Sequence, residues 1–297
     1  MDVRYLLGVF SAVTSGVVFN IGTLIQKIAV RNDGGGAGMM RRLVKNPRWL
    51  LGFVLQIVIG SPLNMLALAM IGPVIIPGLS SVGIAVLAIG AVRHAGETLR
   101  AGEIAGIGLI IAAVTLFGLG GMSVDMGAVG IYETAFLLRL CVFSAVLTLL
   151  SLACHSAQKR LPGARGVLRT LNAGLLFTQS NLWLGVLTLL LTQWVKDRLA
   201  LAQFPYILLA SAIVFFTSMI GIAETQRAFE VGDASKLIPI QNVPSQILPV
   251  VAYFTVFLQK PADARALPLT LIGAALVLAG AALLAGRQQI QTQPQKP

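Results

Sequence analysis

NMLALAMIGPVIIPGLSS, residues 64–81, holds Gly72, Pro73, Pro77 and Gly78 but no charged side chain. Glycine and proline ordinarily punctuate loops on a wet surface. Here the sequence stays uncharged from Trp49 to Val92, about the length of two helices that each cross a hydrocarbon core with ~20 apolar residues. The reading that reconciles these facts is a tight turn at Gly72-Pro73 between two membrane spans. Pro73 costs little at a first helical turn, where its missing N–H has no partner anyway. Pro77, one turn further in, is expected to break the third span. In lipid, such a break is tolerated only against protein or a wet cavity.

The rest of the chain follows the same pattern. It has 297 residues, of which 56% are hydrophobic and 11% charged, where a soluble domain carries about a quarter charged residues. The mean hydropathy is +0.85. Nine spans are expected, at residues 5–29, 49–71, 73–93, 102–121, 131–154, 167–194, 204–226, 236–258 and 267–286. The first is read as a retained helix, since it lacks a strongly basic start and a small-residue cleavage site. The longer connections are the glycine-rich NDGGGAGMMRR (32–42) and the basic HSAQKRLPGARG (155–166). The polar tail 287–297 is expected to be disordered and cytoplasmic.

Sixteen of the 22 Lys and Arg fall at or beyond the ends of the odd-numbered spans, tail included. Five fall on the other side, and the last is Arg139 within span 5. The positive-inside rule then places the N-terminus outside a cell membrane and the C-terminus in the cytoplasm. The net charge of +11 is read as this topological signal. The basic residues do not interleave with aromatics in a stacking surface, so no nucleic-acid partner is expected.

Two stretches repeat. Residues 64–81 align without gaps on QRAFEVGDASKLIPIQNV (226–243), setting Pro77 on Pro239 and Ser80 on Asn242. IGLIIAAVTLFGLGG (107–121) aligns on IGAALVLAGAALLAG (272–286). Spans 1–4 (residues 1–121) then correspond to spans 6–9 (166–286), with span 5 and its basic loop (122–165) between them. A single intervening span inverts the second copy, as in secondary transporters. The fold expected is an all-α integral membrane protein of two inverted four-helix repeats.

Asn64-x-x-x-x-Ala69 ahead of a proline-bounded helix, and Gly96-Glu97-Thr98 at the end of span 3, resemble the drug/metabolite transporter superfamily. FEVGDASKLIPIQNVPSQ (229–246) is similar to a signature of its NIPA-type magnesium transporter group, and nine spans fit that group. The chain departs from it at Gln226, Arg227, Ala228 and Phe229, where the group often has Asn-Lys-Ala-Leu. The resemblance implies transport by alternating access, with magnesium or another divalent cation as cargo.

Polar side chains inside spans mark functional candidates. The set taken as the substrate pathway is Asn20, Asn64, Ser80, Ser81, Asn172, Gln179, Glu224, Gln226, Asn242 and Gln246. Gln56, Asn181, Gln241 and Ser245 are further polar residues of the spans. Asn172 and Gln179, seven apart, share a helix face, as do Asn242 and Gln246. The competing reading makes each amide interhelical glue. Pro77, Pro239 and Pro244 are the expected helix breaks. Arg139 is expected to pair with Glu224.

Three functions are compatible with these residues: a divalent-cation transporter, a carrier of an organic metabolite or drug-like solute, and a membrane-embedded enzyme or scaffold. Magnesium is usually held by one or two carboxylates, and the only acids expected to be buried in the spans are Glu133 and Glu224, so the metal ligands stay unassigned. No nucleophile–base pair and no Walker-type phosphate loop is present, so neither catalysis nor a cofactor is expected. Cys141 and Cys154, thirteen residues apart on one helix, are about 20 Å apart and too distant for a disulfide. The expected partners are the lipid bilayer, a small solute or divalent cation, and a second copy in a homodimer.

Overall fold

The structure, a computed structural model, describes residues 2–33, 45–83, 85–86, 89, 101–195, 204–229, 234–261 and 263–285. Residues 34–44, the Gly96-Glu97-Thr98 motif and the tail lie outside this set, as do the side chains of Gln226 and Pro239. The described residues are helical or irregular, without strands. The helices are α1 (Val3–Asp33), α2 (Pro47–Ile71), α3 (Ile76–Ser80) and α4 (Ala101–Gly120). They continue with α5 (Thr134–Arg160), α6 (Arg165–Val195), α7 (Phe204–Phe229), α8 (Ala234–Thr255) and α9 (Ala266–Ala285). Six of them (α1, α2, α5, α6, α7 and α9) are long and apolar enough to cross a membrane, as in a multi-pass membrane protein, and Ile104–Gly120 of α4 is a shorter apolar helix.

Local chemistry sets the ends of α2. Asn46 caps its start, its side chain accepting from the backbone N–H of Arg48 and Trp49, with Pro47 in the first turn. Leu55–Gly60 forms a π turn just ahead of Pro62. The proline cannot donate to the carbonyl four residues back. The wider turn instead lets Ser61 N–H bond to the carbonyl of Gln56, which also accepts from Ser61 Oγ at 3.2 Å. At the far end Gly72 adopts φ +70°, a conformation that favours glycine. A Cβ there would also lie 2.8 Å from Val124.

The stretch after Gly72 corrects the expected third span. Residues 72–75 are not helical, and α3 starts at Ile76. Pro77 therefore lies in a first turn, where it removes no hydrogen bond. The interruption belongs to the four residues before it. The expected breaks at Pro239 and Pro244 are also corrected, because α8 runs as one helix through both, and through Pro249. The basic linker is shorter than expected, since α5 continues to Arg160 and α6 begins at Arg165 after one 3-10 turn.

α6 is the central helix, buried along most of its length and packed on α5, α7 and α8. α1 packs on α2 and α3, α3 on α4, and α8 on α9. Small residues set the closest approaches. A methyl at Gly16 would fall on the Ser80 backbone, and one at Gly174 on the carbonyl of Gln241. α4 and α9 run antiparallel along a seam of small residues every seven positions. Gly120 meets Ala266 and Thr270, Gly273 meets the Ala113 carbonyl, and Gly280 meets that of Gly106. Gly108 and Gly118 have open space around them, so they lie outside this seam. On the outside, Leu138, Val142, Val146, Leu149 and Leu152 leave an exposed apolar stripe on α5. Such a stripe suits lipid and would be a liability in water.

Candidate functional site

The irregular backbone at 72–75 is buried in the interior, against α6. The residue four on from Pro73 is Pro77, which has no N–H to offer, and the Pro73 carbonyl accepts instead from Asn181 Nδ2 on α6 at 3.4 Å. Beside this contact is a cavity of about 210 Å³, lined by Asn64 (α2), Ile76, Pro77 and Ser80 (α3), Phe177, Thr178 and Asn181 (α6), and Ser245 (α8). Thr178 and Asn181 also border a void of about 10 Å³ against Pro73, Phe143, Pro249 and Phe257, about the room one water needs. Non-helical backbone at membrane depth is tolerated when buried in protein or lining a cavity, and residues 72–75 are buried.

Two helix crossings frame the cavity. Where α1 meets α3 at Gly16, Ser80 Oγ donates to the Ala12 carbonyl at 3.3 Å. Where α6 meets α8 at Gly174, Pro244 packs within 3.1 Å of the space a side chain would take. One turn along α6, Thr178 Oγ1 donates to the Gly174 carbonyl at 2.8 Å. Gly174, Phe177, Thr178, Asn181 and Gly185 share one face of α6, with Gly185 against Pro73.

Several expected pathway residues point elsewhere. Asn172 and Gln179 do share a face, but it is the opposite one, turned to α5. Asn172 Oδ1 accepts from Ser151 Oγ, and Gln179 exchanges hydrogen bonds with Thr148 Oγ1 at 3.4 Å. One turn on, Trp183 Nε1 donates to Ser144 Oγ at 2.8 Å. These pairs form a polar seam between α5 and α6, which matches the competing reading of amides as glue. Asn20 donates to the Gly16 carbonyl of its own helix and packs on Gly83, while Ser81 bonds to Gly78. On α8 the residue lining the cavity is Ser245, and neither Asn242 nor Gln246 lines it. Of the pathway set, the cavity gathers Asn64 and Ser80, together with Pro77. Phe177 and Thr178 escaped the sequence reading, which looked for amides and ionisable groups. Their signal was the i, i+3 spacing of Thr178 and Asn181 on the face away from Asn172.

The expected Arg139–Glu224 pair is also corrected. Arg139 Nε donates to the Val256 carbonyl at 3.0 Å, just beyond the end of α8, where the last helical carbonyls lack partners and favour a cation. The buried Glu224 accepts from Gln158 Nε2 at 3.1 Å and lies 3.7 Å from Arg227. Gln158 is nineteen residues beyond Arg139 on α5, some 28 Å of helix rise away. The two charges therefore sit at opposite ends of α5.

None of the eight described residues lining the cavity is ionisable. Among the described residues, no group of three or more His, Cys, Asp or Glu could hold a metal ion. No family model matches this chain, and no curated protein or solved structure does so.

Proposed function

We propose that this chain is a nine-span secondary carrier of the drug/metabolite transporter type, moving a small solute by alternating access through the cavity between α2, α3, α6 and α8. The observation that carries this reading is the cavity itself. It lies between helices from both halves of the chain, next to the buried irregular backbone at 72–75, and is lined by polar side chains that apolar packing alone would not select.

The inverted-repeat architecture is part of the same proposal. In each half the first helix packs on the second and third, and the third on the fourth: α1, α2, α3 and α4, then α6, α7, α8 and α9. The glycine crossings correspond as well. Gly16 meets α3 at Ser80, and Gly174 meets α8 at Gln241, next to the residue aligned with Ser80. The antiparallel α4–α9 seam is what an inverted second copy would produce. The N-terminus is assigned to the outside of a cell membrane by the basic-residue asymmetry.

A cysteine at position 245 or 64, in a chain with Cys141 and Cys154 replaced, tests the reading without knowledge of the solute. A membrane-impermeant maleimide should reach that cysteine from either side of the membrane. A scaffold or an embedded enzyme would admit it from one side at most.

A further inference from the structure

The polar groups of the cavity are unequally free. The Ser80 hydroxyl has its proton committed to the Ala12 carbonyl, and the Thr178 hydroxyl has its proton committed to the Gly174 carbonyl. Asn181 spends an N–H on the Pro73 carbonyl. Ser80 and Thr178 thus keep acceptor oxygens for the cavity, while Asn181 keeps its Oδ1 and one N–H. Asn64 and Ser245 make no hydrogen bond with the described residues, and each can donate or accept. The remaining wall is Ile76, Pro77 and Phe177.

We infer that the site takes a small, uncharged solute rich in hydrogen-bond donors, of the polyol or primary-amide type, in preference to magnesium or an organic anion. This rests on the carrier reading above. A buried charge without a counter-charge is strongly penalised, and none of the described residues of the lining is ionisable. Magnesium keeps its waters and leans on carboxylates. Among the acids, Glu224 is engaged by Gln158 and Arg227, and Asp125 by Arg4. An anion would find the Ser80 and Thr178 hydroxyl protons turned away from it. A donor-rich neutral solute satisfies the acceptor oxygens while Asn64 and Ser245 serve its own acceptors. About 210 Å³ is below the roughly 300–1,000 Å³ of sites for drug-sized ligands, which sets the size class.

The test is exchange by the purified full chain in vesicles, with erythritol, xylitol and acetamide as neutral probes, acetate as the anion, and Mg²⁺ read by an entrapped indicator. At least one neutral probe should exchange saturably, and Mg²⁺ and acetate should not. Thr178→Val keeps the side-chain shape and removes its acceptor, so it should raise the half-saturation concentration roughly fivefold, the size of one hydrogen bond. Ser80→Ala should act in the same direction. Saturable Mg²⁺ or acetate flux that Thr178→Val weakens would overturn the inference and leave the carrier reading standing. The inference falls in the same way if no neutral probe exchanges while the cysteine at 245 is labelled from both sides. Labelling from one side alone would sink the carrier reading itself.

Discussion

Arg4 reaches Asp125 across 121 positions of sequence, its Nη2 lying 3.0 Å from Oδ1. The same nitrogen donates to the Ala69 carbonyl at 3.1 Å. Asp125 Oδ1 also accepts from Gly127 N–H, opening the 3-10 turn Met126–Ala128. One guanidinium thus ties the start of α1, the end of α2 and the segment between α4 and α5. That segment is pinned from below, because Val124 N–H bonds to the Ile71 carbonyl and Met122, Val124, Met126 and Ile131 are buried. Nearby Tyr132 donates to Gln193 at 3.1 Å, with its ring edge-on to Tyr206.

A carrier must part this end to open toward it. Arg4 and Asp125 are each about half exposed, so their pairing contributes under about 1 kcal/mol. Arg4→Ala should leave thermal stability nearly unchanged. It should speed labelling of a cysteine at the buried Val74 from the side that carries the N-terminus. Unchanged labelling would mean that this contact does not hold the end shut.

The glycines separate into two kinds by what surrounds them. A Cβ at Gly16 meets the backbone of Ser80, which cannot rotate away, whereas one at Gly108 meets nothing within 4 Å. Gly16→Ala should cost about 1–3 kcal/mol as overpacking, seen as a lower melting temperature in detergent. Gly108→Ala should be neutral or stabilise by up to ~1 kcal/mol through helix propensity. Equal effects would contradict the α1–α3 crossing.

Arg139 and Glu224 act independently in this structure. The effects of Arg139→Ala and Glu224→Gln on unfolding free energy should therefore add within about 0.5 kcal/mol. A larger coupling would bring the two charges back together.

The sequence disclosed the helical class and most helix limits, because apolar length and charge-free runs depend on composition alone. The irregular turn at 72–75 was half legible. Gly72 announced the turn, but whether α3 resumes before or after Pro77 depends on Val124 and Asn181, remote in sequence. The partner of Arg139 was not legible, since a helix-end carbonyl has no residue type to search for. The amides of α6 show the same limit most clearly. A seven-residue spacing reveals that Asn172 and Gln179 share a face, but not whether α5 or a cavity lies opposite it.

The two faces of α6 should therefore respond differently to substitution. On the α5 side, Ser144→Ala strands the buried Trp183 N–H, at a cost of about 1–3 kcal/mol. Pairing it with Trp183→Phe removes the orphaned donor, so the double variant should fall by less than the two single effects combined. Vesicles matched for folded protein should show unchanged half-saturation for Ser144→Ala, because nothing in the cavity has altered. On the cavity side, Asn181→Ala removes an acceptor and the tie to the Pro73 carbonyl, a long bond at 3.4 Å. It should leave the folded amount close to that of the parent chain while lowering saturable exchange roughly tenfold. The measurement is melting temperature and exchange on the same preparations. The opposite pattern, with Ser144→Ala abolishing exchange and Asn181→Ala affecting stability alone, would move the pathway to the α5–α6 seam.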